Sequence, residues 1–236
     1  MPMVIHGNVN AQSRLRAALL RLRPACLLGA TLLPLTLTGC ANGGGSLITT
    51  MFEDALGVSE ADPAARADEI PFATINIDTG DRRGLVVLGA QGNAETYWPT
   101  GHQGLIALRH EALHTTVGLA HNLLDTAYRL RGDAEVPWQQ AEPAPFEVTR
   151  SWQDEQGLPR RMTAEGELRC DEARPFDLPL ATLTLQPCTQ VLNWDNGDVT
   201  EGVLWRDPQN HLLWAGEEQA WPDGPTIRWE VARPWW

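Results

Sequence analysis

Two histidines and a glutamate occupy His110-Glu111-Ala112-Leu113-His114. On a helix, this H-E-x-x-H spacing puts both imidazoles on one face to hold zinc and places the glutamate to activate a bound water. The run continues as Thr115-Thr116-Val117-Gly118-Leu119-Ala120-His121, one residue out of step with the longer pattern that adds a glycine and a third histidine ligand. On a helix of about 3.6 residues per turn, that slip rotates the third ligand by about 100°. The flanking residues favour another backbone. Leu105 to Leu108 before the motif and Leu113 to Val117 after it read as a hairpin, and Thr115, Thr116 and Val117 are stiff at χ1 and disfavour helix. Along a single strand the Cα atoms of His110 and His114 would lie about 13 Å apart, a gap that zinc–nitrogen bonds of about 2.1 Å cannot close. Glu135 is an alternative third ligand, bracketed by Gly132 and Pro137. The expectation is a hairpin whose turn spells the motif, with no catalytic residue, metal or cofactor. A zinc-dependent hydrolase using His110, Glu111 and His114 is the competing reading.

Other constellations carry less chemistry. Asp195-Asn196-Gly197-Asp198 resembles part of a calcium loop but lacks the twelve-residue pattern and its closing glutamate, so a hairpin turn is expected there. There is no glycine-rich phosphate loop and no G-x-S-x-G elbow. All 18 basic residues are arginine, which excludes lysine Schiff bases and P-loop chemistry.

The start of the chain reads as an address. Arg14, Arg16, Arg21 and Arg23 precede an apolar run from Ala25 to Leu37, and residues 1–39 have the form of a signal peptide. The run is too short for a membrane helix and contains Pro34. Leu37-Thr38-Gly39-Cys40 resembles the bacterial lipobox, which makes Cys40 the acylated new N-terminus; two or more acyl chains form a stable membrane anchor. Ala41 stands where an aspartate would retain a lipoprotein at the inner membrane, so the outer membrane, facing the periplasm, is expected. Residues 40–69, opening with Asn42-Gly43-Gly44-Gly45-Ser46, read as a flexible tether. Of the 4 cysteines, Cys26 leaves with the signal and Cys40 is acylated. Cys170 and Cys188 then remain in an exported domain, where a disulfide is expected and two buried free thiols are the alternative. The enclosed loop of about 17 residues would add roughly 3 kcal/mol.

Charge narrows the partners. Four of the 18 arginines and none of the 30 acidic residues precede Cys40, so the body carries −16. Such a surface repels phosphate backbones and excludes sequence-independent nucleic-acid binding.

Residues 70–236 read as one β-rich domain. Phe72 to Ile77, Leu85 to Leu88, Glu95 to Trp98, Leu105 to Leu108, Phe146 to Trp152 and Arg161 to Leu168 are expected strands. Ala181 to Leu185, Thr189 to Trp194, Gly202 to Arg206 and Leu212 to Trp214 continue the series. In the last strand Ile227, Trp229 and Val231 face one way, with Thr226, Arg228 and Glu230 opposite. Leu119, Leu123, Ala127 and Leu130 fall at helical spacing before Gly132, which predicts one short helix over 119–130. Pro137 to Pro145 reads as an irregular connection. The expected class is mainly β, an antiparallel barrel- or sandwich-like domain with one short helix. Of the 10 tryptophans, Trp194 and Trp229 belong in the core, whereas Trp235 and Trp236 at the terminus are candidates for contact with a glycan or a partner.

Across this body, Ile70-Pro71-Phe72-Ala73, Leu85 to Leu88, Trp98, Leu105 to Leu108, Thr116-Val117-Gly118-Leu119 and Asn122-Leu123-Leu124 form a recognisable series. It closes with Trp214, Gln219, Pro222-Asp223-Gly224-Pro225, Ile227, Glu230 and Arg233-Pro234. With these residues the chain resembles the YjbF/GfcB family of group-four capsule and exopolysaccharide lipoproteins, from about Ile70 to Pro234. It departs from that pattern at Arg109-His110-Glu111-Ala112 and in the cysteine pair. The resemblance implies a mostly β domain anchored at the envelope, with a role in polysaccharide export or assembly. It implies as partners the membrane, through the acyl chains, the polysaccharide and export-machinery proteins. It brings no catalytic residue. A purely structural envelope lipoprotein is a further alternative.

Overall fold

Buried and exposed side chains alternate through most of the molecule, as they must where strands have one face on a core. The computed structural model describes residues 63–236, His102 excepted. The signal peptide, Cys40 and the tether up to residue 62 lie outside the described residues. One helix, α1 (Pro63–Glu69), precedes β1 (Thr74–Asp78), β2 (Arg83–Val87), β3 (Ala90–Gly92), β4 (Glu95–Gly101), β5 (Gly104–Arg109), β6 (Ala112–Val117) and β7 (Leu123–Arg129). After a short 3₁₀ turn at Pro137–Gln139 come β8 (Phe146–Gln153), β9 (Pro159–Cys170), β10 (Arg174–Asp177) and β11 (Thr182–Trp194). The chain ends with β12 (Val199–Arg206), β13 (Leu213–Gln219) and β14 (Thr226–Arg233).

All strand pairs among the described residues are antiparallel. The larger sheet has the order β2-β1-β14-β13-β12-β11-β9-β8-β7, with β10 added on β11, and the smaller sheet runs β3-β4-β5-β6. The chain is therefore mainly β and antiparallel, as expected. The larger sheet ends at β2 and β7 without closing on itself, so the sandwich-like form is the one found, not the barrel.

Tryptophans fill much of the core. Trp98, Trp138 and Trp229 are wholly buried beside Ile75, Ile77, Leu108, Leu113 and Leu123. Each such side chain contributes about 1.5–3 kcal/mol on burial. Trp194 is buried as expected, and Ile227, Trp229 and Val231 all face inward from β14. Arg206 on β12 is also buried. Its guanidinium donates to the carbonyls of Trp138 (2.6 Å), Gln140 (2.7 Å) and Ala141 (3.4 Å) and to Gln186 (2.9 Å), pinning the irregular connection after β7.

Some expected elements are replaced. The helix read over 119–130 is absent; Leu123–Arg129 is strand β7, in register with β8 through Thr126↔Arg150 and Tyr128↔Val148. Leu123 and Thr126 are buried while Ala127 is exposed, so the fourfold leucine spacing does not lie on one face. Thr126 and Tyr128 suit a half-buried pleat, and the partner strand decides the conformation. The helix lies earlier, at α1, where Ala67 is buried against Leu85 and Ala232. Ala67, ahead of Ile70, thus packs on the sheet. Ala181 to Leu185 and Thr189 to Trp194 form a single strand, β11, running through Pro187.

Candidate functional site

The H-E-x-x-H segment is a hairpin turn. His110 and Glu111 have φ of 49° and 65° and join β5 to β6, with Arg109↔Ala112 as the closing pair. These left-handed conformations are incompatible with a right-handed helix. Nε2 of His110 lies 2.7 Å from Glu135, and its Nδ1 lies 3.3 Å from Gln139 Nε2. His114 engages other groups: Nδ1 lies 3.1 Å from the Thr126 carbonyl, and Nε2 is 3.6 Å from Glu95 and 3.8 Å from Asp125. Burial, and then the nearby Arg109 guanidinium, hold the His114 imidazole below its usual range. Burial also pushes the Glu111 carboxyl up to about 7, against a hydrogen bond from the Leu213 backbone amide. The turn therefore sends the motif's side chains to separate partners. Glu135 meets His110 as its spacing allows, but no group of three His, Cys, Asp or Glu side chains among the described residues is arranged to hold a metal.

The other sequence candidates are placed as follows. Cys170 and Cys188 face one another across β9 and β11 and are joined by a disulfide, their Cα atoms 3.9 Å apart. Asp195 to Asp198 form the β11–β12 turn, closed by the Gly197 amide on the Trp194 carbonyl at 2.8 Å. Trp235 is half-buried, its ring 5.0 Å from Trp98. Trp236 is exposed, its ring 5.1 Å edge-on from Trp214.

A cleft lies elsewhere, where four connections meet: the β1–β2 turn, the β6–β7 connection, the β8–β9 turn and the β13–β14 turn. Its volume is about 430 Å³. Hydrogen bonds tie its walls together. Arg82 on the first turn donates to the Gly118 carbonyl at 3.0 Å. Asn122 accepts from the Leu119 amide at 3.1 Å and donates to Gln153 Oε1 at 2.8 Å, and the Gln153 amide returns a bond to the Asn122 carbonyl at 2.9 Å. Two core indoles lie beneath the cleft. Trp152 and Trp221 stack with ring centroids 5.8 Å apart and planes 7° from parallel.

The carboxylates around the cleft divide into two kinds. Asp154 is spent on its own turn: the Leu158 amide (2.8 Å), Arg160 (2.8 Å) and the Gln156 amide (3.0 Å) all donate to it and hold its carboxyl below the usual range. Asp81 accepts from the Thr79 hydroxyl at 2.6 Å. Glu155 and Asp223, by contrast, have side chains without a partner among the described residues, as does His121. Asp223 occupies the left-handed region (φ 59°) in the turn Trp221-Pro222-Asp223-Gly224-Pro225. That turn is tight. The Gly224 amide bonds the Trp221 carbonyl at 2.8 Å, and a Cβ at Gly224 would lie 2.7 Å from the Trp221 ring. Sequence reasoning did not single out the Trp152–Trp221 stack, which lies in the core beneath the cleft.

The structure is similar to the crystal structure of the hypothetical lipoprotein YmcC from Escherichia coli (K12). The TM-score is 0.67, at 12% sequence identity, over 80% of this chain and 94% of that chain. At this identity the likeness concerns the fold. No protein-family model and no curated protein matches the sequence.

Proposed function

We propose that this protein is a lipid-anchored accessory factor for export or assembly of an exopolysaccharide or capsule, acylated at Cys40 and held at the outer membrane facing the periplasm. The observation that carries the reading is the fold likeness to a hypothetical lipoprotein over nearly the whole of that chain. It agrees with the lipobox ending at Cys40 and with the resemblance to the YjbF/GfcB family, both read from the sequence alone. The factor acts without catalysis, through contact with the glycan or with export proteins. The left-handed turn at His110 and Glu111 supports that part, because it removes the helix a zinc hydrolase of this motif requires.

The test is secreted polysaccharide in three strains of the bacterium that encodes the protein: a deletion, the deletion carrying wild type, and the deletion carrying Cys40→Ala. Loss on deletion, restored by wild type and not by Cys40→Ala, is the expected result. Unchanged polysaccharide on deletion would overturn the export role. Stoichiometric zinc in the purified protein, lost on His110→Ala, would overturn the non-catalytic reading.

A further inference from the structure

We infer that the interior of the larger sheet is a binding site for one resident water molecule, held by Gln190, Glu218 and Tyr128 in the space over Gly202. The inference is independent of the polysaccharide reading. Four strands send polar side chains to this place: Tyr128 from β7, Arg150 from β8, Gln190 from β11 and Glu218 from β13. Gln190 is 2% exposed, Glu218 1% and Arg150 0%. Arg150 and Glu218 form an ion pair, and Arg150 spends one nitrogen on the carbonyls of Gln219 and Ala220. Four polar atoms of the group are then left over. Gln190 Nε2, the Tyr128 hydroxyl, Arg150 Nε and Glu218 Oε1 are all buried, and none has a hydrogen-bond partner among the described residues. Orphans of this kind are rare in a folded interior, because each gave up its bonds to bulk water on folding.

The strand register fixes where a bridging molecule fits. Gln190 pairs with Gly202 across β11 and β12, and Gly202 pairs with Glu218 across β12 and β13. The two polar residues therefore flank a residue with no side chain, their Cα atoms about 10 Å apart at two strand spacings. Glu218 leans over that glycine: a Cβ at Gly202 would lie 3.3 Å from its Cγ. Arg150 and Gln190 both act on the Tyr128 oxygen, while burial, and then the charge of Glu218, push that hydroxyl above its usual range and keep it protonated. Polar groups that feel one another without closing a hydrogen bond are the groups a water bridges. The chemistry selects water over other ligands. Gln190 Nε2 and Arg150 Nε only donate, Glu218 Oε1 only accepts, and the Tyr128 hydroxyl does both, so the ligand must donate and accept. One guanidinium already faces one carboxylate, so an ion of either sign would leave the interior charged. Cys188, Leu192 and Leu168, beside Gln190 on β11 and β9, belong to the apolar core and offer a larger polar molecule no further partner. A buried water needs about two to four polar partners, and the four orphans supply them.

The test is a crystal structure of the full-length protein beside that of Gln190→Met, which keeps the length of the side chain and removes its amide. Wild type should show one ordered water in the interior, within hydrogen-bond distance of Gln190 Nε2 and of Glu218 Oε1 or the Tyr128 hydroxyl, and Gln190→Met should lose it. An interior without that water, in which Gln190 bonds Glu218 or Tyr128 directly, would overturn the inference. So would an ion or a larger molecule at that place, or the same water retained in Gln190→Met. A second measurement, in solution, keeps the test open should Gln190→Met not fold. In Tyr128→Phe, which has no hydroxyl proton to relay exchange, nuclear magnetic cross-relaxation between water and the Gln190 side-chain amide protons should persist. Its loss would mean that no water resides beside Gln190, and would overturn the inference as well.

Discussion

Arg150 on β8 forms an ion pair with Glu218 on β13, both side chains fully buried, although β9, β11 and β12 lie between those strands in the sheet. In a flat sheet the two strands would be about 19 Å apart, beyond the combined span of the side chains. The larger sheet therefore curls until β8 faces β13, and the pair spans its interior. Arg150 also donates to the carbonyls of Gln219 and Ala220, each at 3.0 Å, at the start of the turn that presents Trp221. The same curvature lets Trp152, two residues along β8, stack on Trp221.

Removing one partner leaves the other charged and buried. Arg150→Met should lower stability by about 3–5 kcal/mol, and the double variant Arg150→Met with Glu218→Leu should lower it by less. The urea midpoints of wild type and the two variants decide the matter. An Arg150→Met midpoint equal to wild type would mean the pair contributes nothing.

Glu111 makes the fold sensitive to pH in a defined direction. Its carboxyl has an ordinary value of 4.5 and sits at about 7 in the folded protein, chiefly through burial. Between those values the folded state binds more proton at this group than the unfolded state, so its contribution to stability is fully present below about pH 4.5 and is lost as pH rises to about 7. The loss attributable to this group is about 3 kcal/mol at most. Glu111→Gln keeps the neutral form at every pH and should be more stable than wild type at pH 8, with the gap closing at pH 5. Denaturant midpoints at the two pH values measure it; a gap of the same size at both would contradict the assignment.

How far the sequence reveals this molecule depends on whether a feature is local. The β14 alternation, the hairpin at His110-Glu111 and the turn at Asn196-Gly197 follow from neighbouring residues, and all three are found where the residues put them. The 119–130 segment misleads because its leucine spacing is a local signal overridden by pairing with β8, a tertiary effect. The helix at α1 is too short for a periodic signal, and it holds because Ala67 packs on Leu85 and Ala232, far along the chain. The cleft was the least legible feature. Trp152 and Trp221 are core tryptophans that the curl of the sheet brings together beneath the cleft, and nothing in their spacing announces that.

The Cys170–Cys188 disulfide ties β9 to β11 near the middle of the larger sheet, across a sequence separation of 18. Replacing both cysteines by alanine frees that loop in the unfolded chain and should cost about 3 kcal/mol. Thermal or urea unfolding of the variant, beside wild type with and without reductant, tests this. Wild type unfolded in the presence of reductant should approach the variant, because unfolding exposes the bridge fully; in the fold Cys188 is wholly buried and Cys170 half-buried. Equal stability of variant and oxidised wild type would show that the bridge adds nothing.

Gly224 sets the position of the Trp221 ring beneath the cleft. A methyl group there would lie 2.7 Å from three ring atoms with no room on that side, so Gly224→Ala must displace the indole or open the turn. The cost should be about 1–3 kcal/mol, as for other overpacked sites. The displacement should be visible without any ligand, because Trp221 stacks on Trp152 and that contact contributes to the near-ultraviolet circular dichroism of the tryptophans. The substitution should diminish that band. A variant with wild-type stability and an unaltered tryptophan spectrum would show that the ring is not held where the stacking places it.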